Sequence, residues 1–115
     1  MKTITICGAT GFIGSNLVRK LSKNYKVFAI YNKKKPFKNK NVKWLKADLR
    51  KFKDCLKVTA KSNIIIQAAA TTSGSKDIIN SPYLHVTDNA IMNSYLLKAA
   101  YINNISNFIF TSCTV

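Results

Sequence analysis

The chain has 115 residues, 47% of them hydrophobic and 20% charged, so it is too apolar for a disordered tail and too short for two ordinary domains. Nineteen Lys and Arg face four acidic residues and give a formal net charge of +15, which is compatible with binding to nucleic acid or an anionic membrane. An A/T-rich coding bias toward Lys, Asn and Ile explains the charge more simply. Three cysteines without close spacing and a single histidine argue against a disulfide framework and a metal site.

Short apolar runs alternate with helical patterns along the chain, which is typical of βαβ units and a parallel sheet. The patterns predict strands over 3–7, 26–31, 42–47, 63–68 and 108–112, and helices over 12–23, 51–61 and 82–103. The alternation therefore predicts an α/β fold class with a parallel sheet.

Two local patterns add detail to these elements. Asp48 directly follows the third predicted strand, where it can cap the helix that begins near residue 51. In the long helix, one stripe indicates the packed face; it consists of Val86, Ala90, Asn93, Leu97 and Ala100.

No segment of the sequence predicts a membrane span. The apolar run at the N-terminus is too short for a signal peptide, and the longest apolar stretch, residues 63–70, is too short to cross a bilayer. We therefore expect a cytoplasmic protein without a membrane partner.

Three glycines, Gly8, Gly11 and Gly14, join the first predicted strand to the first predicted helix. A turn that passes close to a pyrophosphate has no room for side chains, and the N–H groups at a helix start favour an anion. Gly14 would also let the helix pack close against the sheet. The pattern therefore predicts a dinucleotide site, with a ligand-free glycine turn as the structural alternative.

Around these glycines, the segment Gly8-Ala9-Thr10-Gly11-Phe12-Ile13-Gly14 resembles the N-terminal pattern of the extended short-chain dehydrogenase/reductase family. That family comprises NAD(P)-dependent epimerases and dehydratases, which act mostly on nucleotide sugars. Further matches follow in the family's order: Ala47-Asp48-Leu49-Arg50, Ile65-Ile66-Gln67-Ala68-Ala69-Ala70, Asn89 and Asn107-Phe108-Ile109-Phe110-Thr111-Ser112-Cys113.

The resemblance implies that residues 1–115 are the N-terminal portion of one NAD(P)-binding domain, with a Rossmann-type, doubly wound parallel sheet that is incomplete because later strands are missing. It also implies a role for each matching segment. The glycine loop would hold the pyrophosphate, Asp48 the adenine, and Ser112 or Cys113 would face the substrate as the catalytic hydroxyl or thiol. The cofactor-binding residues that it implies are Gly8, Thr10, Gly11, Phe12, Ile13, Gly14, Tyr31, Asn32, Lys33, Asp48, Leu49, Ala68, Ala69, Ala70 and Asn89. Structural alternatives stay open: a helix cap for Asp48, a buried polar group for Asn89, close packing for the alanines and a buried thiol for Cys113.

The end of the second strand usually decides between NAD and NADP, because an acidic residue there binds the ribose hydroxyls. Tyr31 stands at that place, 17 residues after Gly14, and Lys33, Lys34 and Lys35 follow. We expect a preference for NADP, with NAD as the alternative cofactor. The structural alternative is that these lysines are merely solvated and that the site discriminates poorly between the two cofactors.

The family's chemistry also needs a Tyr and, four residues later, a Lys on a helix beyond the fifth strand. The pattern Tyr-x-x-x-Lys occurs here at Tyr31 and Lys35, in the ribose region, where we take it as coincidence. We therefore expect the substrate-binding C-terminal part to be absent, dinucleotide binding by the 115 residues alone to be weak, and turnover to be lacking. The complete enzyme would use a nucleotide sugar, with a homodimer allowed.

Two other function classes compete with this interpretation. One is an NADP-binding regulatory module without catalysis. The other, less favoured, is a basic nucleic-acid-binding domain that uses the region from Lys33 to Lys61. Its aromatic residues Trp44 and Phe52 fall on a predicted strand and a predicted helix, where we expect them to belong to the core.

Overall fold

The computed structural model describes residues 2–34, 36–70 and 83–111, and strands alternate with helices in it except between the second and third strands. The elements in chain order are β1 (Thr3–Cys7), α1 (Phe12–Leu21), β2 (Lys26–Tyr31), β3 (Val42–Lys46), α2 (Phe52–Thr59), β4 (Ile64–Gln67), α3 (Tyr83–Ile102) and β5 (Asn107–Phe110). Each predicted strand and helix is present, and its ends differ from the prediction by at most two residues.

The strands form one five-stranded parallel sheet in the order β3-β2-β1-β4-β5. The register places Cys7 of β1 beside Ile30 of β2 on one side and beside Gln67 of β4 on the other. The predicted α/β class with a Rossmann-type parallel sheet is confirmed. Since the chain moves outward from β1 in one direction and from β4 in the other, the sheet has its topological switch point between these two strands.

Two cores cover the two faces of the sheet, because successive side chains of a strand point to opposite faces. On one face Val18 of α1 packs with Ile6 and Val27. On the other face α2 and α3 pack against Cys7, Ile30 and Ile65. Trp44 packs against the first core and Phe52 against the second, as the strand and helix patterns predict.

The long helix α3 packs through a different stripe from the predicted one. Its buried residues are Met92, Leu96, Ala99 and Ala100. Val86 and Leu97, which belong to the predicted stripe, are 71% and 55% exposed, so that prediction is wrong for them. The reason is that apolar residues occur on every side of α3, and periodicity then fails to single out one face.

Polar side chains tie α3 to the elements beneath it. The Asn103 side chain, just after α3, donates to the Oγ1 of Thr59 at 2.8 Å and to the carbonyl oxygen of Leu56 at 3.0 Å. At the middle of the helix, Gln67 Nε2 donates to Asn93 Oδ1 at 3.0 Å. These bonds fix the position of α3 along the sheet.

Strand β5 forms an edge of the described sheet. Ile109 and Phe110 are 50% and 49% exposed. Within the described sheet, this strand therefore presents an unpaired edge with half-exposed apolar side chains. Among the described helices, none is long and apolar enough to cross a membrane.

Adjacent leucines on α3 provide a test of its packing. We expect Leu96→Ala to lower the free energy of unfolding by about 2–5 kcal/mol, because it empties a fully buried site between helix and sheet. Leu97→Ala, the matched control, should change it by no more than about 0.5 kcal/mol, since that side chain is largely exposed. Urea unfolding followed by circular dichroism measures both. An equal loss at Leu97 would contradict this assignment of the packed face.

Candidate functional site

The glycine loop after β1 is built so that backbone packs directly on backbone. Gly8 has a φ of 74°, in the left-handed region that favours glycine. A Cβ on Gly8 would lie 2.6 Å from the Cα of Ala69, which follows β4. The end of β1 and the segment after β4 therefore approach each other more closely than side chains allow.

Gly14, in the first turn of α1, faces the same loop. A Cβ on Gly14 would overlap the carbonyl oxygen of Gly8 and would lie 3.0 Å from the Cα of Ala9. The close packing expected at Gly14 is therefore with the turn that leaves β1, rather than with the sheet itself. Gly11 is different, since a Cβ there would make only an ordinary 3.4 Å contact.

The first turn of α1 presents backbone N–H groups without a side-chain cap. Gly11 is the N-cap residue, with φ −76° and ψ 177°, and no side chain caps the helix. The first intrahelical bond is donated by the N–H of Ser15 to the carbonyl oxygen of Gly11 at 2.9 Å. The N–H groups of Phe12, Ile13 and Gly14 precede that bond, so they are available to an anion.

This turn has the shape and charge that a dinucleotide pyrophosphate requires. The partial positive charge of the helix start lies at the switch point of the sheet, and the glycines leave space for a backbone-to-phosphate approach. Thr10 is half-buried in the loop, whereas Phe12 and Ile13 are 86% and 51% exposed beside it. The residues present therefore fit an NAD(P) pyrophosphate.

At the end of β2, an aromatic cluster supports the region expected to hold the adenosine ribose. The rings of Tyr31 and Trp44 meet edge to face, with centroids 6.1 Å apart, and Phe37 contacts Trp44 at 5.0 Å. Asn32 and Lys33 follow Tyr31 and are exposed. No Asp or Glu occurs among residues 1–47, so the segments that form this end of the site are free of negative side chains.

Asp48 lies directly after β3, at the same edge of the sheet. The side chain of Arg50 donates from Nε to Asp48 Oδ1 and from Nη2 to Asp48 Oδ2, each at 3.0 Å. This bidentate pair holds the pKa of the Asp48 carboxyl below its usual range. Leu49, between the two, is buried.

The prediction that Asp48 caps α2 is wrong. The N-cap of that helix is Lys51, and no side chain caps it. Asp48 Oδ1 instead accepts the N–H of Arg50 at 3.0 Å, two residues on. The physical reason is that the Arg50 side chain offers a charged, two-point partner, which outcompetes a single helix N–H.

The segment after β4 is held in place by Gln67, a residue that the motif comparison did not single out. Its Oε1 accepts the N–H of Ala69 at 3.0 Å, and its backbone carbonyl accepts bonds from the N–H and Oγ1 of Thr111. Ala68 donates its own N–H to Cys7 at 3.1 Å, while Ala70 is exposed. The sequence signal that could have revealed Gln67 is a polar amide at the end of an apolar strand, because a polar group buried there needs hydrogen-bond partners.

The other predicted residues have different outcomes. Asn89 lies in the second turn of α3 and is half-buried. Ser112 and Cys113 lie outside the described residues. Cys7 and Cys55 are buried free thiols, and burial raises the pKa of Cys55 to about 12. In the described part of the chain, no three His, Cys, Asp or Glu side chains group as they would to hold a metal ion.

Comparison with known proteins places this geometry in a family. The sequence model of the NAD dependent epimerase/dehydratase family matches residues 4–115. GDP-mannose 3,5-epimerase 1 of Oryza sativa subsp. indica is 31% identical over an alignment of 113 residues that covers 95% of this chain and 30% of that protein. The chain thus spans about 30% of the length of this curated relative.

Solved enzyme structures share the fold. A UDP-glucose 4-epimerase superposes with a TM-score of 0.81 at 26% identity, covering 96% of this chain and 35% of that one. The Bordetella bronchiseptica enzyme WbmH in complex with NAD⁺ superposes with a TM-score of 0.75 at 22% identity, covering 94% and 38%. The resemblance that the motifs carry is therefore confirmed, and the chain belongs to the NAD dependent epimerase/dehydratase family as an N-terminal part.

Proposed function

We propose that these 115 residues form the dinucleotide-binding part of an NAD(P)-dependent enzyme that acts on a nucleotide sugar. The observation that carries this proposal is the glycine loop, where Gly8 and Gly14 leave no room for a Cβ and the start of α1 has no side-chain cap. The relatives support the substrate class, since their names specify GDP-mannose and UDP-glucose. WbmH, bound to NAD⁺, supports the cofactor class.

The loops that follow the strands would each hold one part of the cofactor. The N–H groups at the start of α1 would bind the pyrophosphate, with Thr10 and the side chains of Phe12 and Ile13 beside it. Tyr31, Asn32 and Lys33 would line the adenosine ribose. Further contacts would come from Asp48 and Leu49 at the adenine, and from Ala68, Ala69, Ala70 and Asn89 along the cofactor.

The proposed reaction is a hydride transfer, and these residues would orient the cofactor for it. When bound, the dinucleotide supplies a nicotinamide ring that accepts or returns a hydride at a sugar carbon. The residues after β4 would fix the position of the cofactor, because Gln67 holds the Ala69 backbone rigidly. Ser112 or Cys113, which follow β5 in the sequence, would approach the substrate and hydrogen-bond to the reacting oxygen.

Substitutions of the loop glycines separate cofactor binding from folding. Gly11→Ala should leave the free energy of unfolding nearly unchanged, because its Cβ meets nothing closer than 3.4 Å. The same change should weaken NADP⁺ binding about ten-fold or more, since the methyl group would obstruct the pyrophosphate. Gly14→Ala should instead destabilise the fold by about 1–3 kcal/mol, because its Cβ overlaps the Gly8 carbonyl.

Isothermal titration calorimetry at millimolar NADP⁺ and thermal unfolding measure the two effects. Gly11→Ala with wild-type affinity and wild-type stability would show that no phosphate passes over the loop, and would contradict the proposal.

Within this function, we propose that NADP is preferred over NAD. The support is the absence of acidic residues before Asp48, together with exposed Lys33 and Lys34 directly after β2. Their ammonium groups would attract the additional phosphate of NADP, whereas a carboxylate at the place of Tyr31 would repel it.

Paired titrations with the two cofactors test this preference. We expect NADP⁺ to bind about ten-fold more tightly than NAD⁺ at low salt and less selectively as salt rises. The double variant Lys33→Gln/Lys34→Gln should lose most of the preference by weakening NADP⁺ alone. The double variant Lys57→Gln/Lys61→Gln, which removes two charges from exposed lysines on and just after α2, serves as the charge-matched control. Tighter binding of NAD⁺ than of NADP⁺ by the unmodified chain would contradict the proposed preference.

A further inference from the structure

Arg50 makes a two-point contact at the adenine end of the proposed site. Its Nε and Nη2 donate to the two carboxylate oxygens of Asp48, both at 3.0 Å. This arrangement fixes the plane of the carboxylate, because the guanidinium presents its donors in a rigid fork. A lysine at this position could not do so, since its ammonium group acts as a single point of charge.

The same guanidinium reaches a second element. Its Nη1 lies 3.7 Å from Asp88 Oδ2, in the second turn of α3. Arg50 therefore links the loop after β3 to α3. Neighbouring Asn89 belongs to the residues that the family resemblance places against the cofactor.

The backbone around Asp48 is fixed as well. Its N–H donates to Asp54 Oδ2 at 2.9 Å, and the N–H of Arg50 donates to Asp48 Oδ1 at 3.0 Å. Ala47 and Leu49 on either side are buried in the core beneath α2 and α3. The Asp48 side chain nevertheless stays 22% exposed.

The distribution of charge singles this place out. The chain has only four acidic residues against nineteen Lys and Arg, and three of the four take part in this network: Asp48, Asp54 and Asp88. Without Arg50, these carboxylates would lack the cation that two of them share. Arg50 therefore contacts two of these carboxylates and holds that of Asp48 in a fixed orientation.

We propose that Arg50 is a positioning residue for base recognition, which holds the Asp48 carboxylate as a fixed acceptor for the exocyclic amino group of adenine and links it through Asp88 to α3. This inference rests on the proposed dinucleotide-binding function. It predicts selectivity for a base that carries an amino group over one that carries a carbonyl oxygen at the same position, because a carboxylate accepts hydrogen bonds and repels a second acceptor.

The test compares NADP⁺ with nicotinamide hypoxanthine dinucleotide phosphate, which carries an oxygen in place of the adenine amino group. We expect the wild-type chain to favour NADP⁺ about ten-fold in calorimetric titrations. Arg50→Gln and Arg50→Lys should both bring this ratio close to one, since neither residue supplies the guanidinium fork. Asp88→Asn should keep most of the preference, because the Asp48–Arg50 pair is retained.

Controls separate base recognition from folding and from charge. Lys57→Gln removes the same charge as Arg50→Gln on the exposed side of α2 and should keep the wild-type ratio. Circular dichroism melts establish that each variant is folded, and Arg50→Lys decides the test if Arg50→Gln does not fold. A loss of stability without a change in the ratio would show that Arg50 is only a structural clamp.

The outcomes also distinguish this inference from the function on which it rests. A wild-type chain that binds neither dinucleotide would overturn both proposals. A wild-type chain that prefers NADP⁺, with an unchanged ratio in Arg50→Lys, would overturn the role of Arg50 alone.

Discussion

Three stretches of backbone meet where β1 ends, and the space between them does not admit a side chain. Gly8 lies against Ala69 after β4, and Gly14 of α1 lies against the carbonyl of Gly8. This contact determines where α1 begins relative to the two central strands. Because the helix has no side-chain cap there, its first N–H groups and its dipole remain directed at the switch point of the sheet. The candidate site therefore depends first on a packing constraint and only second on polar side chains.

The two ends of the site rest on different cores. Tyr31 contacts Trp44, which packs in the core beneath α1. The Asp48 loop is anchored by Ala47 and Leu49 in the core beneath α2 and α3. A ligand that spans the edge would thus touch structure supported from both faces of the sheet, with the glycine loop at the centre. Cores of this kind are close-packed and compress little, so the distance between the two ends changes little as side chains move.

Much of this arrangement could be predicted from the sequence, because the strongest signals are local. Glycine spacing after a β-branched run identifies the loop, and the alternation of apolar runs with helical periods identifies the parallel sheet. The face of α3 could not be predicted, since apolar residues occur on every side of this helix and their periodicity does not favour Leu96 over Leu97. The partner of Asp48 was missed for a similar reason. Local propensity favours a helix cap at that position, whereas the structure shows a pair with Arg50 whose second contact, Asp88, is distant in sequence.

The charge of the chain has a different meaning once it is placed on the fold. A coding bias toward lysine raises the total without regard to position, yet the acidic residues are not scattered at random along the described chain. Residues 1–47, which supply the glycine loop and the Tyr31 region, contain no carboxylate side chain. Asp48, Asp54 and Asp88 meet on the other side of the edge, around Arg50. Phosphates favour the region without carboxylates, and the hydrogen-bond donors of a base favour the region that contains them. The two regions therefore match the phosphate part and the adenine part of an adenine dinucleotide. Net charge alone supports nucleic-acid binding equally well, and it is this separation along the edge that favours the dinucleotide.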